Sequence, residues 1–418
     1  MNTEEIYQLY SKNYLVDTDT RKIRKNTIYF ALKGTNFNGN TFAKEALNKG
    51  AIYSIVDEKK YVTSNRIIFV DDVLKSLQAL AKFHRKQLSI PIIGLTGSNG
   101  KTTTKELINA ILSKKYNTTA TLGNYNNHIG VPLTLLSMTP KTEIGIVEMG
   151  ANHHKEIEFL CNISDPDYGY ITNFGKAHLE GFGSIKGVIE AKSELYKYIK
   201  ETNKTVFINP KDPIQVEKTK EMNFIPFDNT IQFINSDPFV RLSFQGNKIL
   251  SNLIGDYNYN NISAAITIGN HLKVVVTDIK SAIEEYIPTN NRSQIVKTTK
   301  GNTLILDAYN ANPTSIKAAL DSFKMNHYKN DIIILGDMFE LGTESAKEHQ
   351  FITNYCIELG FKNVLLVGEN FYNTNNSFLK FKSYLELANH IHNTTIEKRQ
   401  ILIKGSRGMT LERLTEIL

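Results

Sequence analysis

Residues 92–104 have the sequence IIGLTGSNGKTTT, an apolar run followed at once by a glycine-rich turn and a run of threonines. The apolar run is typical of a buried strand, and residues 102–114 have the pattern of a helix. A glycine turn between a strand and a helix lets backbone N–H groups converge on phosphate oxygens, and the helix start adds partial positive charge. The stretch therefore predicts a phosphate-binding loop made of Gly97, Ser98, Asn99, Gly100, Lys101, Thr102 and Thr103.

In such a loop Lys101 would contact the β- and γ-phosphates of a nucleotide, and the Thr102 hydroxyl would bind Mg²⁺. The usual pattern has glycine five positions before Gly100, where this chain has Leu95, so the loop is a variant. The alternative is an ordinary strand-to-helix turn.

The composition of the 418 residues is that of a globular protein, with 41% hydrophobic and 22% charged residues. This excludes a wholly disordered or collagen-like chain. Apolar runs stay well short of the roughly 18 residues of a membrane helix, so no membrane association is expected. The first residues, MNTEEIYQLYSKNYLVD, lack the basic-then-apolar build of a signal peptide, and Cys161 and Cys356 are isolated. We therefore expect a cytoplasmic protein with free thiols.

The formal net charge of +7 suits nucleic acid, an acidic membrane surface or an anionic small substrate. The basic residues are spread along the chain, with only isolated doublets such as residues 59–60 and 114–115. A nucleic-acid partner is therefore not expected.

Strand and helix patterns divide the chain into predicted domains at residues 1–88, 89–290 and 291–418. The first mixes short strands (27–32, 52–56 and 66–70) with a helix at 73–87. The second alternates strands and helices as in a parallel sheet, followed by short antiparallel strands over residues 224–254. The third alternates again, with a last helix at 409–418, as in a small doubly wound, Rossmann-like domain. We therefore predict an α/β protein of three domains.

Two polar residues are expected at the edge where parallel strands end, which is where open α/β sheets bind ligands. Glu148 ends the apolar run 144–147, and with Thr102 it can hold Mg²⁺ on the nucleotide phosphates. His178 comes shortly after the next strand. Taken alone, Glu148 could instead cap a helix, and a lone histidine is more often a packing or capping residue.

Several further runs extend this pattern: GNYNNHIGVP (123–132), EMGANH (148–153), AHLEGFGS (177–184), DAYNANP (307–313) and GDM (336–338). Together with the loop, they resemble the Mur ligase family, in the same order along nearly the whole chain. The resemblance implies a central P-loop ATPase-like domain and ATP-dependent joining of an amine to a UDP-sugar-peptide carboxylate through an acyl phosphate. The runs 177–184 and 307–313 resemble the member that adds D-alanyl-D-alanine to UDP-N-acetylmuramoyl-tripeptide in peptidoglycan synthesis.

The resemblance also implies roles for residues around the nucleotide. His178 and a carbamylated Lys192 would bind a second Mg²⁺, and Lys101, His178 and Lys192 would be the catalytic residues. From sequence alone, Lys192 is a solvated helix lysine. The residues that would contact ATP outside the loop are Asn258, Asn261, Arg292 and Asp307. Alternatively, Asn258 caps a helix, and Arg292 and Asp307 are linker or capping residues.

Substrate contacts are implied in all three segments. Thr20 and Arg21 resemble UDP-binding positions, although Arg21 could instead form a surface salt bridge. Asn126 and Asn127 belong to the run 123–132. The C-terminal positions that would meet the incoming dipeptide are Asn310, Asn312 and Arg407.

Three alternatives remain at this stage. They are another ligase of the same family, a nucleic-acid-dependent P-loop ATPase, and a non-catalytic nucleotide-binding scaffold. The prediction is a monomeric, cytoplasmic ligase that uses ATP and two Mg²⁺ ions, with small-molecule partners only.

Overall fold

A computed structural model describes residues 1–289, 291–326 and 331–418. The predicted second domain boundary falls at residue 290, which lies outside the described residues. Each of the three large sheets lies within one of the predicted segments.

The N-terminal segment forms a four-stranded parallel sheet with strand order β1-β2-β5-β6. Helix α1 begins at Thr3 because Asn2 and Glu5 form a reciprocal capping box. The long helix α3 packs against α1 and also against α5 and α6 of the next segment, so it joins the two segments. The elements are α1 (Thr3–Tyr10), β1 (Val16–Asp17), β2 (Ile28–Phe30), β3 (Lys33–Gly34), β4 (Phe37–Asn38), α2 (Ala43–Asn48), β5 (Tyr53–Val56), β6 (Ile67–Phe69) and α3 (Val73–Gln87).

The central segment is a six-stranded parallel sheet with the order β12-β11-β10-β7-β9-β8 and helices against it. Strand β7 is fully buried and lies between β9 and β10, so the loop that follows it opens at the point where the strand order reverses. Its elements are β7 (Ile92–Thr96), α4 (Lys101–Leu112), β8 (Thr118–Ala120), α5 (Gly130–Leu135), β9 (Ile144–Glu148), α6 (Glu156–Ser164), β10 (Tyr168–Ile171), α7 (Leu179–Phe182), α8 (Ile185–Lys192), α9 (Glu194–Glu201), β11 (Thr205–Ile208), α10 (Pro213–Thr219) and β12 (Asn223–Pro226).

An antiparallel sheet of three strands follows, made of β13 (Gln232–Ser236), β14 (Phe239–Phe244) and β15 (Asn247–Ile254). The prediction of antiparallel strands is wrong for residues 224–226, because β12 pairs in parallel with β11 at the edge of the central sheet. Helix α11 (Tyr257–His271) then packs on α4, and α12 (Val276–Glu285) on β15 and α4.

The C-terminal segment is a six-stranded sheet with the order β16-β17-β21-β18-β19-β20, in which only the edge strand β16 is antiparallel. The predicted helix at 409–418 is wrong: Thr410 has a φ of 48°, and two 3-10 turns (Arg407–Met409 and Leu411–Glu416) flank it. The elements are β16 (Gln294–Lys297), β17 (Thr303–Asp307), α13 (Pro313–Met325), β18 (Asp331–Gly336), α14 (Ser345–Glu358), β19 (Val364–Val367), α15 (Glu369–Tyr372), β20 (Leu379–Phe381), α16 (Tyr384–His392) and β21 (Gln400–Lys404).

Apolar side chains between the layers form the core, and the largest cluster runs through all three segments. Within the described parts of the chain, every helix is too short or too polar to cross a lipid bilayer.

Candidate active site

The loop between β7 and α4 has the conformation that its glycines allow. Gly97 has a φ of 142° and Gly100 a φ of 78°, both in the region that side chains rarely adopt. A Cβ on Gly97 would meet Thr172 Oγ1 at 2.0 Å, and one on Gly100 would meet Asn261 Oδ1 at 2.5 Å. Helix α4 therefore begins at Lys101 with its first N–H groups open toward the loop.

The residues that follow β10 fix this loop from the side. Asn173 receives a hydrogen bond from the Asn99 amide through its Oδ1 (3.1 Å) and donates from Nδ2 to the Asn99 oxygen (3.0 Å). The Thr172 hydroxyl also donates to the Asn99 oxygen (2.6 Å), and the Ser98 hydroxyl donates to the Gly175 oxygen (2.9 Å). The loop is thus held in one shape by the neighbouring strand end.

Lys101 folds back over the loop, where its Nζ donates to the Gly97 oxygen (2.7 Å) and the Ser98 oxygen (3.3 Å). Burial lowers the pKa of Lys101, and Arg292 adds to this, while Glu148 opposes it. Bound phosphates would favour the charged ammonium, because an opposite charge at close range stabilises it.

Glu148 lies at the end of β9, almost fully buried. Its Oε1 accepts from Thr102 Oγ1 (3.3 Å) and Asn126 Nδ2 (2.8 Å), while its buried Oε2 has no hydrogen-bond partner among the described residues. A buried carboxylate oxygen without a hydrogen-bond donor can accept a metal ion, and oxygen donors suit Mg²⁺. Thr102 and Glu148 therefore fit the predicted ion.

Lys105, one turn beyond Lys101, is a member of this site that the sequence did not single out. It is 2% exposed, and its Nζ lies 4.0 Å from Glu148 Oε2 and 3.4 Å from the Gly123 oxygen. Burial lowers its pKa. On sequence alone it is one more helix lysine.

His178 follows β10 with a φ of 53° and faces the C-terminal segment. Its Nδ1 lies 2.5 Å from Glu340 Oε2, and Glu340 also has a positive φ, of 61°. Burial lowers the pKa of His178, which favours the neutral imidazole that metals bind. No sequence signal pointed to Glu340.

Lys192, the last residue of α8, is fully buried. Its Nζ donates to the Ala151 oxygen (3.1 Å) and lies 5.1 Å from the centre of the Phe182 ring, which the His178 ring also contacts. Burial and the nearby Lys101 hold the pKa of Lys192 well below its usual value. The side chain lies behind Ala151, which lines the cleft described below.

Asn258 and Asn261 face α4 as a bonded pair: Asn261 Nδ2 donates to Asn258 Oδ1 (2.8 Å) and Thr104 Oγ1 donates to Asn261 Oδ1 (3.1 Å). Asn258 is not the cap of its helix, because it lies inside α11 and donates to the Ile254 oxygen. The Tyr257 hydroxyl is 2.8 Å from Ser293 Oγ, and both residues line the cleft.

Arg292 and Asp307 border the same cleft from the C-terminal segment. The Arg292 guanidinium lies 3.8 Å from the centre of the Tyr309 ring, and its buried Nε has no partner among the described residues. Asp307, at the end of β17, forms an ion pair with Lys404 at 2.5 Å.

The predicted dipeptide residues occupy three different settings. Asn310 lines the cleft and its backbone oxygen accepts from Lys404 (3.2 Å). Asn312 caps α13 and donates to Asn99 Oδ1 (2.7 Å), so it contacts the nucleotide loop directly. Arg407 is exposed, with its guanidinium 5.3 Å from the Tyr309 ring centre.

The remaining predicted substrate residues are Thr20, Arg21, Asn126 and Asn127. Asn126 and Asn127 line the cleft, and Asn127 Oδ1 also accepts from the Gly130 amide at the start of α5. Thr20 and Arg21 lie outside the cleft. Arg21 is 85% exposed and pairs with Asp19 at 2.7 Å, which lowers the pKa of Asp19 to about 2.

Most of the predicted site residues line one cleft of about 540 Å³ between the central and C-terminal sheets. The predicted residues outside its lining are Thr20, Arg21, Gly97, Lys192, Asn312 and Arg407. The wall of the cleft also contains polar residues that the sequence analysis did not predict. Asn173 is the second residue after β10, so the strand-end rule that pointed to Glu148 would have found it. The additional side chains are Asn124, His128, Asn152, Glu156, Asn173, Tyr257, Ser293, Tyr309, Thr314, Ser315 and Lys404.

The fold and the cleft define a multidomain P-loop nucleotide-binding protein, with the loop at the switch point of one parallel sheet and a doubly wound domain opposite it. The family model "Mur ligase middle domain" matches residues 95–269, and "Mur ligase, glutamate ligase domain" matches residues 291–406. The chain belongs to the Mur ligase family.

The chain is similar both to named proteins and to solved structures. It is 36% identical to the UDP-N-acetylmuramoyl-tripeptide–D-alanyl-D-alanine ligase of Bacillus subtilis (strain 168), over 80% of this chain and 76% of that protein. A crystal structure of MurF from Acinetobacter baumannii has a TM-score of 0.85 at 28% identity, covering 96% of this chain and 92% of the other. MurF ligase from Thermotoga maritima in complex with ADP has a TM-score of 0.83 at 25% identity, covering 96% of both chains.

Proposed function

We propose that this protein is an ATP-dependent ligase that joins D-alanyl-D-alanine to UDP-N-acetylmuramoyl-tripeptide, yielding the UDP-linked pentapeptide used in peptidoglycan synthesis. The observation that carries the proposal is the phosphate loop facing Glu148, His178, Arg292 and Asn310 across one cleft, in a chain that matches ligases of that name along most of its length. The Thermotoga relative was solved with ADP, which supports ATP as the nucleotide.

Thr102 and Glu148 would hold Mg²⁺ on the phosphates. Within the described residues, no three His, Cys, Asp or Glu side chains cluster as a complete metal site. One hydroxyl and one carboxylate, from Thr102 and Glu148, suit Mg²⁺, which binds through one or two carboxylates plus substrate phosphates and water. When bound, the ion would neutralise charge on the phosphates and polarise the γ-phosphorus.

The first step is attack of the terminal carboxylate of the UDP-linked tripeptide on the γ-phosphorus of ATP. The new P–O bond forms as the bond to the β,γ-bridging oxygen breaks, so ADP leaves and an acyl phosphate remains. Lys101 lies over the loop and would spread the developing negative charge. The loop amides and the start of α4 would hold the phosphates in line with the attacking oxygen.

In the second step, the neutral amine of D-alanyl-D-alanine attacks the acyl carbonyl carbon. The resulting tetrahedral intermediate expels inorganic phosphate, and the amine nitrogen gives up a proton as the amide forms. Contacts of the C-terminal domain with the middle domain, such as Asn312 to Asn99, would exclude the water that hydrolyses an acyl phosphate. Arg407 would pair with the dipeptide carboxylate.

Lys192 would act as a carbamate. Burial lowers its pKa, which favours the neutral amine, and a neutral amine can add to the carbon of CO₂ with loss of one proton. The carbamate is an anion, so it suits a site beside His178, with which it would bind a second Mg²⁺. An unmodified ammonium there would repel the ion.

The N-terminal domain, residues 1–88, would bind the UDP part, with Thr20 and Arg21 contacting it, while Asn258, Asn261 and Asp307 contact the nucleoside of ATP. The Asp19–Arg21 ion pair is exposed, so Arg21 can leave Asp19 and pair with a diphosphate at little cost in free energy. In this scheme the enzyme acts as a cytoplasmic monomer.

The test is phosphate release from ATP, measured with UDP-N-acetylmuramoyl-tripeptide in the presence and absence of D-alanyl-D-alanine, followed by mass spectrometry. The expected result is release that needs both substrates and a product heavier than the tripeptide by one dipeptide less water. Release that proceeds equally well without the dipeptide, or a product carrying another amine, would overturn the assignment.

A further inference from the structure

One aromatic ring contacts two arginines that reach it from distant parts of the C-terminal sequence. The Arg292 guanidinium carbon lies 3.8 Å from the centre of the Tyr309 ring, and that of Arg407 lies 5.3 Å from it. Tyr309 is half-buried, between the end of β17 and the start of α13. Tyr309 and Arg292 line the cleft. Arg407 does not line it, but its guanidinium contacts the Tyr309 ring.

The ring stabilises a local accumulation of positive charge. A guanidinium over an aromatic face is attracted by the ring electrons, and each such contact shifts an equilibrium by about two- to thirty-fold. The buried Nε of Arg292 has no acceptor among residues 1–289, 291–326 and 331–418. The ring is therefore the contact that orients this guanidinium, whose Nε–H has no acceptor among the described residues.

We propose that Tyr309 is a positioning residue that orients both arginines at once: Arg292 for the nucleotide phosphates and Arg407 for the carboxylate of the incoming dipeptide. The inference rests on the proposed function. Because the two guanidinium groups share one support, a ligand that fixes the ring through one arginine lowers the ordering cost of the other. ATP and the dipeptide would then bind with positive coupling through Tyr309.

Tyr309→Leu removes the aromatic face, and Tyr309→Phe retains it. The chain offers a matched control in Tyr384, whose ring lies under Arg413 at 3.9 Å in the same domain and outside the cleft. Tyr309→Leu is expected to raise both the Kd of ADP and the KM of D-alanyl-D-alanine by three- to thirty-fold, with a smaller change in kcat. Tyr309→Phe is expected to keep the Kd and the KM near the parent values, and Tyr384→Leu to leave both within two-fold of them.

Titration calorimetry with ADP alone and steady-state kinetics with the dipeptide provide these values for the full chain. Circular dichroism checks folding; if Tyr309→Leu does not fold, Tyr309→Met keeps the bulk without an aromatic face and replaces it. If Tyr309→Leu and Tyr384→Leu had the same Kd for ADP and the same KM for the dipeptide, the inference would be overturned.

Arg292→Lys and Arg407→Lys separate this inference from the proposed function, because lysine keeps the charge and loses the planar stack. If Arg292→Lys weakens ADP and Arg407→Lys weakens the dipeptide, while Tyr309→Leu weakens neither, only the role of Tyr309 fails. If neither lysine variant changes either value, the proposed ligand contacts themselves fail. In the Tyr309→Leu background, each lysine substitution should have a smaller effect than in the parent.

Discussion

Gly100→Ala tests the loop geometry against a control with the same backbone strain. Gly100 has a φ of 78° at the start of α4, and Gly246 has a φ of 76° in the turn between β14 and β15. A Cβ on Gly246 would meet nothing within 4 Å, whereas one on Gly100 would meet Asn261 Oδ1 at 2.5 Å and Nδ2 at 3.0 Å. The difference between the two alanine variants therefore measures the contact alone.

An alanine in the left-handed region costs about 1–2 kcal/mol at either position. At Gly100 the Asn261 amide must also move, although it is buried and holds hydrogen bonds with Thr104 and Asn258. Each lost bond is worth about 1 kcal/mol, so Gly100→Ala should lose about 3–4 kcal/mol of unfolding free energy. If nucleotide binding must restore the loop, the extra ~2 kcal/mol appears as roughly 30-fold weaker ADP binding.

Urea unfolding followed by far-UV circular dichroism or tyrosine fluorescence gives the first quantity, since the chain has no tryptophan. Titration calorimetry with ADP gives the second. Gly246→Ala is expected to lose about 1–2 kcal/mol and to bind ADP like the parent. If the two variants were equally stable and bound ADP equally well, the argument from the Asn261 contact would be refuted.

Three further predictions concern single ionisable residues. Lys101→Ala should abolish ATP turnover and leave the circular dichroism spectrum intact, since the Nζ hydrogen bonds go to carbonyl oxygens of its own loop; normal turnover would reject the nucleotide site. Lys192→Ala should lose activity that short carboxylates partly restore; full activity without rescue would reject the carbamate. His349 accepts from the Met338 amide (3.0 Å) through Nε2, and burial lowers its pKa. As the pH falls below about 6.5, the His349 imidazole therefore takes up a proton in the unfolded chain before it does so in the folded one. The free energy of unfolding should then fall by up to about 1.4 kcal/mol for each unit of decreasing pH. In pH-resolved urea titrations His349→Gln should flatten that slope, and an unchanged slope would contradict the assignment.

The strands that carry the site were predictable because their apolar runs are long and the ligand residues stand at their ends. Glu148 and Asp307 follow this rule, and both border the cleft. Residues 411–418 show where local pattern fails: Leu411, Leu414 and Leu418 are buried at helical spacing, yet the segment forms a 3-10 turn after Thr410. A single short segment gains too little from helix formation to impose it against its packing.

The chemical state of a side chain depends on contacts between segments that sequence does not display. Lys192 has the sequence setting of a solvent-exposed helix lysine, and its burial arises from α7 and the Ala151 loop. Glu340 meets His178 only when the C-terminal domain packs on the central one, and Tyr309 meets Arg292 and Arg407 only when the C-terminal domain folds. Likewise, the sequence does not show that Arg292 and Arg407 share the Tyr309 ring.

The segment after β10 links nucleotide binding to the position of the C-terminal domain. Its Asn173 holds the Asn99 backbone on both sides, and Asn99 Oδ1 in turn accepts from Asn312. Three residues further, Lys176 binds Thr314 and Glu348, and His178 meets Glu340. These contacts are polar, as in interdomain interfaces that allow relative motion. A nucleotide that fixes the loop therefore also fixes the surface on which the C-terminal domain closes, so ATP should precede the dipeptide into the closed cleft.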